Sequence, residues 1–296
     1  MSTESEDQLQ RWMFENINAR CVHVHLEQVL REVLQIQSHP PLVEHLQAQA
    51  LLVVSLLSSG LKFSGRISLQ LQSSGAIRLL MADCTDDGGL RCVARLNDDV
   101  ELAESTDELW DSLVKDGVLT LTLEPSDNSE RWQGIVPLEG RSLAEAMESY
   151  FERSEQLPTR IRLAADSQRA SALMIQRMPG PSDDADGWNR LQHLMNTLGD
   201  GELETLPGVE VVTRLFHEED RRQFPERSLR FHCPCSRQRV SEVLVSLGEA
   251  EIESMAAEGE TVNVDCEFCG TRYDFDPIQL LELLNAPVSS HSTTVH

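Results

Sequence analysis

The sequence predicts an α+β protein in three parts. These are an N-terminal mixed domain on a largely antiparallel sheet, a helical linker, and a small C-terminal domain with four paired cysteines. Three observations carry this reading. Alternating apolar segments between residues 21 and 178 are separated by short turn-rich spacers. The run Pro179-Gly180-Pro181-Ser182-Asp183-Asp184 then breaks the pattern, and narrow apolar stripes set in charge follow it. Four of the seven cysteines fall within residues 231–296, in two close pairs.

In chain order, Glu6 to Phe14 places Leu9, Trp12 and Met13 at helical spacing and reads as a short helix. Cys21 to Leu26 sets Val22, Val24 and Leu26 against His23 and His25, the alternation of a strand. Pro40-Pro41 opens a helix that runs through Leu57 and ends at Ser58-Ser59-Gly60. Arg66 to Gln72 alternates strictly, with Ile67, Leu69 and Leu71 on one face. Further strands are expected at Ala76–Met81, Leu90–Leu96, Val118–Leu123, Arg131–Val136, Thr159–Leu163 and Ala172–Met178. Their spacers, such as Ser73-Ser74-Gly75, are too short for parallel crossovers, so antiparallel pairing is expected. Leu143–Phe151 is a helix capped by Ser142, with Glu145 completing a capping box. Residues 1–178 form the first domain on this reading.

Residues 179–230 carry two helices. One bears Trp188, Leu191, Met195 and Leu198 and stops at Gly199; the other bears Val209, Val212, Leu215 and Phe216. Such stripes must dock on something to be stable. They read equally as a separate linker or as two more helices of the first domain. In residues 231–296, Val240, Val243, Leu244 and Leu247 mark one helix, and Ile252 and Met255 a second. Thr261–Asp265 and Thr271–Phe275 read as short strands around a turn. Asp276-Pro277 caps a last helix with Leu280, Leu281 and Leu284, and the tail after Pro287 is expected to fray.

Charge and composition narrow the function. Lys plus Arg total 25 against 49 Asp plus Glu, a formal net charge of −24 over 296 residues. A duplex or an anionic membrane would repel such a surface. Only Lys62 and Lys115 are lysines, a bias of genome or salt adaptation with no mechanistic weight. The longest apolar run, Ala50 to Leu57, is far short of the ~20 residues that span a bilayer. The acidic N-terminus is not a secretory signal, so a cytoplasmic setting is expected. Grouped cysteines in a reducing compartment bind metal or do redox chemistry more often than they form permanent staples.

Cys233-Pro234-Cys235 and Cys266-Glu267-Phe268-Cys269 suit a tetrahedral all-sulfur zinc site, with buried unpaired cysteines as the plain alternative. His232 is either a rival ligand or an ordinary solvated histidine. Cys21, Cys84 and Cys92 lack paired spacing and read as ordinary cysteines. The one-residue spacing of the first pair is unusual, and oxidation there would close a very small, reducible ring. Cys235 precedes Ser236, the expected N-cap of a helix at Arg237–Leu247; the helix dipole with Arg237 and Arg239 is expected to favour its thiolate. Thiolates are the form oxidants attack. A domain this small has a few kcal/mol of its own, whereas a structural zinc site supplies on the order of 10–16 kcal/mol. Loss of the thiolates would therefore unfold it, and the linker could melt with it.

These cysteines, together with Leu61-Lys62-Phe63, Arg131-Trp132-Gln133-Gly134-Ile135-Val136, the run Tyr150-Phe151 to Thr159 and Arg214 to Glu219, resemble the bacterial 33 kDa chaperonin family, the redox-regulated heat-shock holdases. The resemblance covers essentially the whole chain. It implies a zinc-bound, inactive reduced form holding one ion on Cys233, Cys235, Cys266 and Cys269. Oxidation is then implied to form the disulfides Cys233–Cys235 and Cys266–Cys269, release zinc, and unfold the zinc domain and linker. The exposed apolar surface would hold unfolding client proteins. A homodimer when oxidised and release of clients to refolding chaperones are also implied. ATP is not expected, and no GxxxxGK[ST] loop occurs.

Two other readings stand beside the holdase. One is a zinc-ribbon interaction module. Its nucleic-acid version is opposed by three Arg against eleven Asp and Glu in residues 231–296. The other is a thiol oxidoreductase, but Cys266-x-x-Cys269 lies between two short strands instead of opening a helix in a βαβ unit. No set of residues points to an enzyme active site. The candidate client surfaces are the linker stripe and the strand face carrying Leu119, Leu121 and Leu123, the latter more simply read as core.

Overall fold

The computed structural model describes residues 7–60, 64–98, 106–127, 129–138 and 140–285. Leu61-Lys62-Phe63 and the tail after Pro287 lie outside the described residues. The chain divides into two compact units, Met1–His232 and Cys233–His296.

The first unit begins with β1 (Gln8–Phe14), β2 (Ala19–Leu26), α1 (Gln28–Ile36), α2 (Pro41–Ser58), β3 (Gly65–Gln72), β4 (Ile77–Thr85) and β5 (Gly89–Leu96). It continues with α3 (Thr106–Val114), β6 (Val118–Pro125), β7 (Trp132–Pro137), α4 (Leu143–Arg153), β8 (Thr159–Ala165) and β9 (Ala170–Arg177). Three helices follow, α5 (Gly187–Met195), α6 (Asp200–Thr205) and α7 (Gly208–Leu215). Three two-residue strands close the unit: β10 (Arg222–Gln223), β11 (Arg227–Ser228) and β12 (Arg230–Phe231).

Two sheets result. One has the order β10-β1-β2-β9-β8, with β11 also on β1; the other has the order β12-β5-β4-β3-β6-β7. Every pairing is antiparallel except β12 with β5. The apolar helix α2 packs on β2, β8 and β9 of the first sheet and on β3, β4 and β5 of the second. It is therefore buried nearly all round, which explains its continuous apolar sequence. By length and composition it could cross a membrane, but it is the core helix here. Pro41 opens it, where a missing N–H costs nothing. Leu119 and Leu121 are buried in the same core, with Leu123 packed against it.

The segment expected as a short helix at Glu6–Phe14 is the strand β1. It has buried side chains on both faces: Leu9 faces the α2 core, while Trp12 and Phe14 face a second core. Burial on both sides erases the two-residue alternation and leaves a spacing that mimics a helix. The second core is completed by the helices of residues 179–230. Leu191, Met195, Leu198, Leu203, Val212 and Phe216 bury against β1, β2 and β9, and Phe216 meets the Phe14 ring edge-on at 5.2 Å. Those helices thus pack within the first unit. Val209, counted in the expected stripe, is exposed, and Val211 is buried instead.

The expected cap of α4 is present. Ser142 Oγ accepts from the Glu145 N–H at 3.2 Å, while Glu145 reaches back to the Arg141 N–H at 2.8 Å. The helices α1, α3 and α6 had no strong local signal. The α1 N-terminus is capped from a distance, with Asp7 accepting from the Gln28 and Val29 N–H groups at 3.0 and 2.6 Å.

The second unit contains α8 (Arg237–Ser246), α9 (Glu249–Ala257), β13 (Val262–Asp265), β14 (Arg272–Phe275) and α10 (Pro277–Asn285). Asp276 and Gln279 cap α10 reciprocally, at 2.8 and 3.1 Å. Among its described residues the buried core is Leu244, Ile252, Phe275 and Leu280. Val243 and Leu247, expected on the buried stripe of the first helix, are exposed.

Phe216→Ala is expected to cost about 3–5 kcal/mol by chemical denaturation, since it opens a cavity in the second core. Leu247→Ala, at an exposed side chain, is expected to stay within about 0.5 kcal/mol.

Candidate metal centre

The site is assembled from two chain segments. Cys233 and Cys235 lead into α8, whose N-cap Ser236 accepts from the Arg239 N–H at 3.3 Å. Cys266 and Cys269 lie on the turn between β13 and β14. There the Cys266 carbonyl accepts from Cys269 at 3.2 Å and from Gly270 at 2.7 Å, while the Cys266 N–H donates to Thr271 at 2.9 Å. Gly270 takes φ of 69°, a left-handed conformation that glycine adopts without penalty. The tight turn points both sulfurs the same way.

All four sulfurs lie within 4.8 Å of one another and are half-buried. Two contacts run across the pairs, Cys233 to Cys266 at 3.7 Å and Cys235 to Cys269 at 3.3 Å. The structure thus brings together all four cysteines singled out in the sequence, and the cluster can hold a metal ion. His232 is outside it: it is exposed, and its N–H donates to the Leu90 carbonyl at 2.9 Å in the first unit.

Electrostatics distinguish the sulfurs. Burial pushes Cys266 up to about 12, and burial also raises Cys235. At Cys269 burial acts upward too, but is outweighed by the hydroxyl and N–H of Thr271, the hydroxyl 3.2 Å away; the thiol is lowered to about 7. Close thiolates repel, so one negative charge is shared among neighbours that keep their protons. A cation among them would allow all four to ionise.

The Cys235 thiolate expected from Arg237 and Arg239 is corrected by these contacts. Arg237 stacks on the Phe275 ring at 4.2 Å and donates to the Asp274 carbonyl and Gln279. Arg239 donates to the Pro234 carbonyl at 2.9 Å. The guanidinium groups brace the backbone instead of the sulfur. The partner that sequence reasoning missed is Tyr273, whose hydroxyl donates to Cys235 Sγ at 3.1 Å. The alternation of β14 was the available signal, because Cys269, Thr271 and Tyr273 fall two residues apart.

The remaining cysteines are of another kind. Cys21, Cys84 and Cys92 are fully buried, and burial raises all three thiols, Cys84 to about 11. They are protonated and shielded.

Residues 7–276 match the model of the Hsp33 protein family, which spans both units and the four cysteines. The chain belongs to the Hsp33 family. Relatives agree along their whole lengths. A 33 kDa chaperonin of Pseudomonas aeruginosa is 42% identical over 285 residues, covering 94% of each chain. That of Methylobacillus flagellatus is 38% identical over 285 residues, covering 95% of this chain and 96% of its own. The crystal structure of the 33 kDa chaperonin from Thermotoga maritima superposes with a TM-score of 0.79 at 22% identity, over 94% of this chain and 98% of that one, and shares the fold.

Thiol labelling of the native chain with a chelator present is expected to modify Cys233, Cys235, Cys266 and Cys269. Cys21, Cys84 and Cys92 should label only in denaturant, as peptide mapping would reveal. Tyr273→Phe, which removes one contact to a cluster sulfur, is expected to weaken metal binding by roughly tenfold in a chelator competition.

Proposed function

We propose that the chain is a redox-regulated, ATP-independent holdase chaperone, with one zinc ion on Cys233, Cys235, Cys266 and Cys269 in its reduced, inactive form. The observation that carries this reading is four half-buried sulfurs within 4.8 Å, in a unit whose own core is four buried side chains. Zinc fits the donor set. Zinc–sulfur bonds of about 2.3 Å in a tetrahedron put the sulfurs about 3.8 Å apart. Two of the sulfur pairs here are already 3.7 and 3.3 Å apart. Bound there, zinc would stabilise the thiolates and supply folding free energy, on the order of 10–16 kcal/mol in small zinc peptides.

Family membership supports pairing Cys233 with Cys235 and Cys266 with Cys269 on oxidation. Each disulfide forms as a thiolate pair gives up two electrons to peroxide, which takes two protons from solvent and leaves as two waters; hypochlorous acid would take one proton from solvent and leave as chloride and water. Bridged sulfurs no longer carry the charge that holds a cation, so zinc leaves as the divalent ion. The small unit then loses its chief constraint. The helices α5–α7 would undock next, uncovering the apolar face of β1, β2 and β9 for unfolding client proteins. The same reading includes a homodimer in the oxidised state, transfer of clients to refolding chaperones after reduction, a cytoplasmic setting, and no nucleic-acid or membrane partner.

A second reading, a zinc-ribbon protein-interaction module, draws on Val243, Leu247 and Ile278, which the small unit leaves exposed. Oxidation separates the two. Under the holdase reading, peroxide at elevated temperature or hypochlorite releases one zinc per chain, and light scattering of a heat-denatured client falls in step. Equal suppression by reduced and oxidised protein would rule the switch out and leave the module.

A further inference from the structure

Residues 221–232 form a strap along the edges of both sheets, immediately before Cys233. On β1, the Phe224 N–H donates to the Arg11 carbonyl and the Leu229 N–H to the Asp7 carbonyl, both at 2.9 Å. On the other sheet, the Arg230 N–H donates to Gly88 at 3.0 Å and the His232 N–H to Leu90 at 2.9 Å. These edges of β1 and β5 have no other strand beside them among the described residues.

The strap is held lightly. Leu229 is its one fully buried side chain, and its strands are two residues each. Its remaining grip is Phe231, packed against the first core, and arginines that land on acidic, carbonyl or hydroxyl oxygens, Arg227 on Ser58 and Arg221 on Thr213 among them. Arg222 pairs with Glu15 at 2.7 Å, Arg230 pairs with Asp87, and Arg227 donates to the Asp86 carbonyl at 3.1 Å. When the strap leaves, what it uncovers is extended backbone with open hydrogen-bonding groups, with Glu15 at the end of β1, Asp86 and Asp87 in the turn before β5, and one cation, Arg11, on β1 itself. An open edge of that kind recruits another extended chain.

We infer that the strap is a built-in stand-in for client, and that the β1 edge, flanked by acidic side chains, binds an extended, arginine- or lysine-bearing segment of an unfolding protein once the strap has gone. This rests on the oxidation-driven release proposed above. It adds backbone pairing, with a preference for cationic segments, to the apolar adhesion expected of any holdase.

The probe is a fluorescent synthetic peptide with the sequence of residues 221–232, titrated by anisotropy into the full chain, zinc-loaded and reduced or hypochlorite-oxidised. Two analogues accompany it: one N-methylated at the positions of Phe224 and Leu229, one with Glu for every Arg. The oxidised chain should bind the parent peptide at least tenfold more tightly than the reduced chain. Each analogue should lose at least tenfold, and a denatured client should displace the parent. An oxidised chain that suppresses aggregation yet binds the parent and N-methylated peptides equally, or neither, overturns the inference and leaves the holdase intact. So does a dimer that the parent peptide splits into monomers while client fails to compete, since the edge then belongs to a second copy. If oxidation brings no suppression of aggregation, the holdase reading falls and this inference falls with it.

Discussion

Four sulfurs drawn together in a unit with almost no core of its own are the constraint on which the remainder rests. Thiolates this close repel, and protonated thiols offer little attraction. The local order at Cys233, Cys235, Cys266 and Cys269 is therefore conditional on what neutralises them. The contacts around the cluster prepare for that condition. Tyr273 and Thr271 hydrogen-bond Cys235 and Cys269, the Cys266–Gly270 turn aims Cys266 and Cys269, and Arg237 and Arg239 fix backbone carbonyls nearby. Remove the reason for the sulfurs to meet, and little else holds that arrangement.

The first unit is organised on the opposite principle. Its sheets share one core through α2, and the first sheet has a second core on its far face under α5–α7. Such burial is deepest at the centre. At the margin it grades into weaker contacts, from the helices to the strap at residues 221–232. Asp7 joins these layers: its carboxylate caps α1 while its carbonyl accepts from Leu229. Apolar packing thus thins along the chain toward the cysteines.

Much of this was legible in the sequence because the informative residues are local. Ile67, Leu69 and Leu71 alternate because one face of β3 is buried; Ser142 and Glu145 are neighbours in a cap; paired cysteines share a turn. The failures have a common cause in distant partners. β1 looked helical because Leu9 and Trp12 answer to different cores on opposite faces. α1 was overlooked because its cap, Asp7, lies 21 residues before Gln28. Arg237 was assigned to the wrong partner because Phe275, far along the chain, takes its guanidinium. The cluster itself was readable, but the sulfur that ionises most readily was not, since Thr271 acts only across a folded turn.

Trp12 sits on β1, buried in the second core beneath the helices that follow residue 187. An indole in that position is a resident chromophore whose emission depends on whether water reaches it. The molecule therefore carries its own optical gauge of helix docking. The state of that face can be followed by spectroscopy in real time, with no dye that would itself compete for an apolar surface.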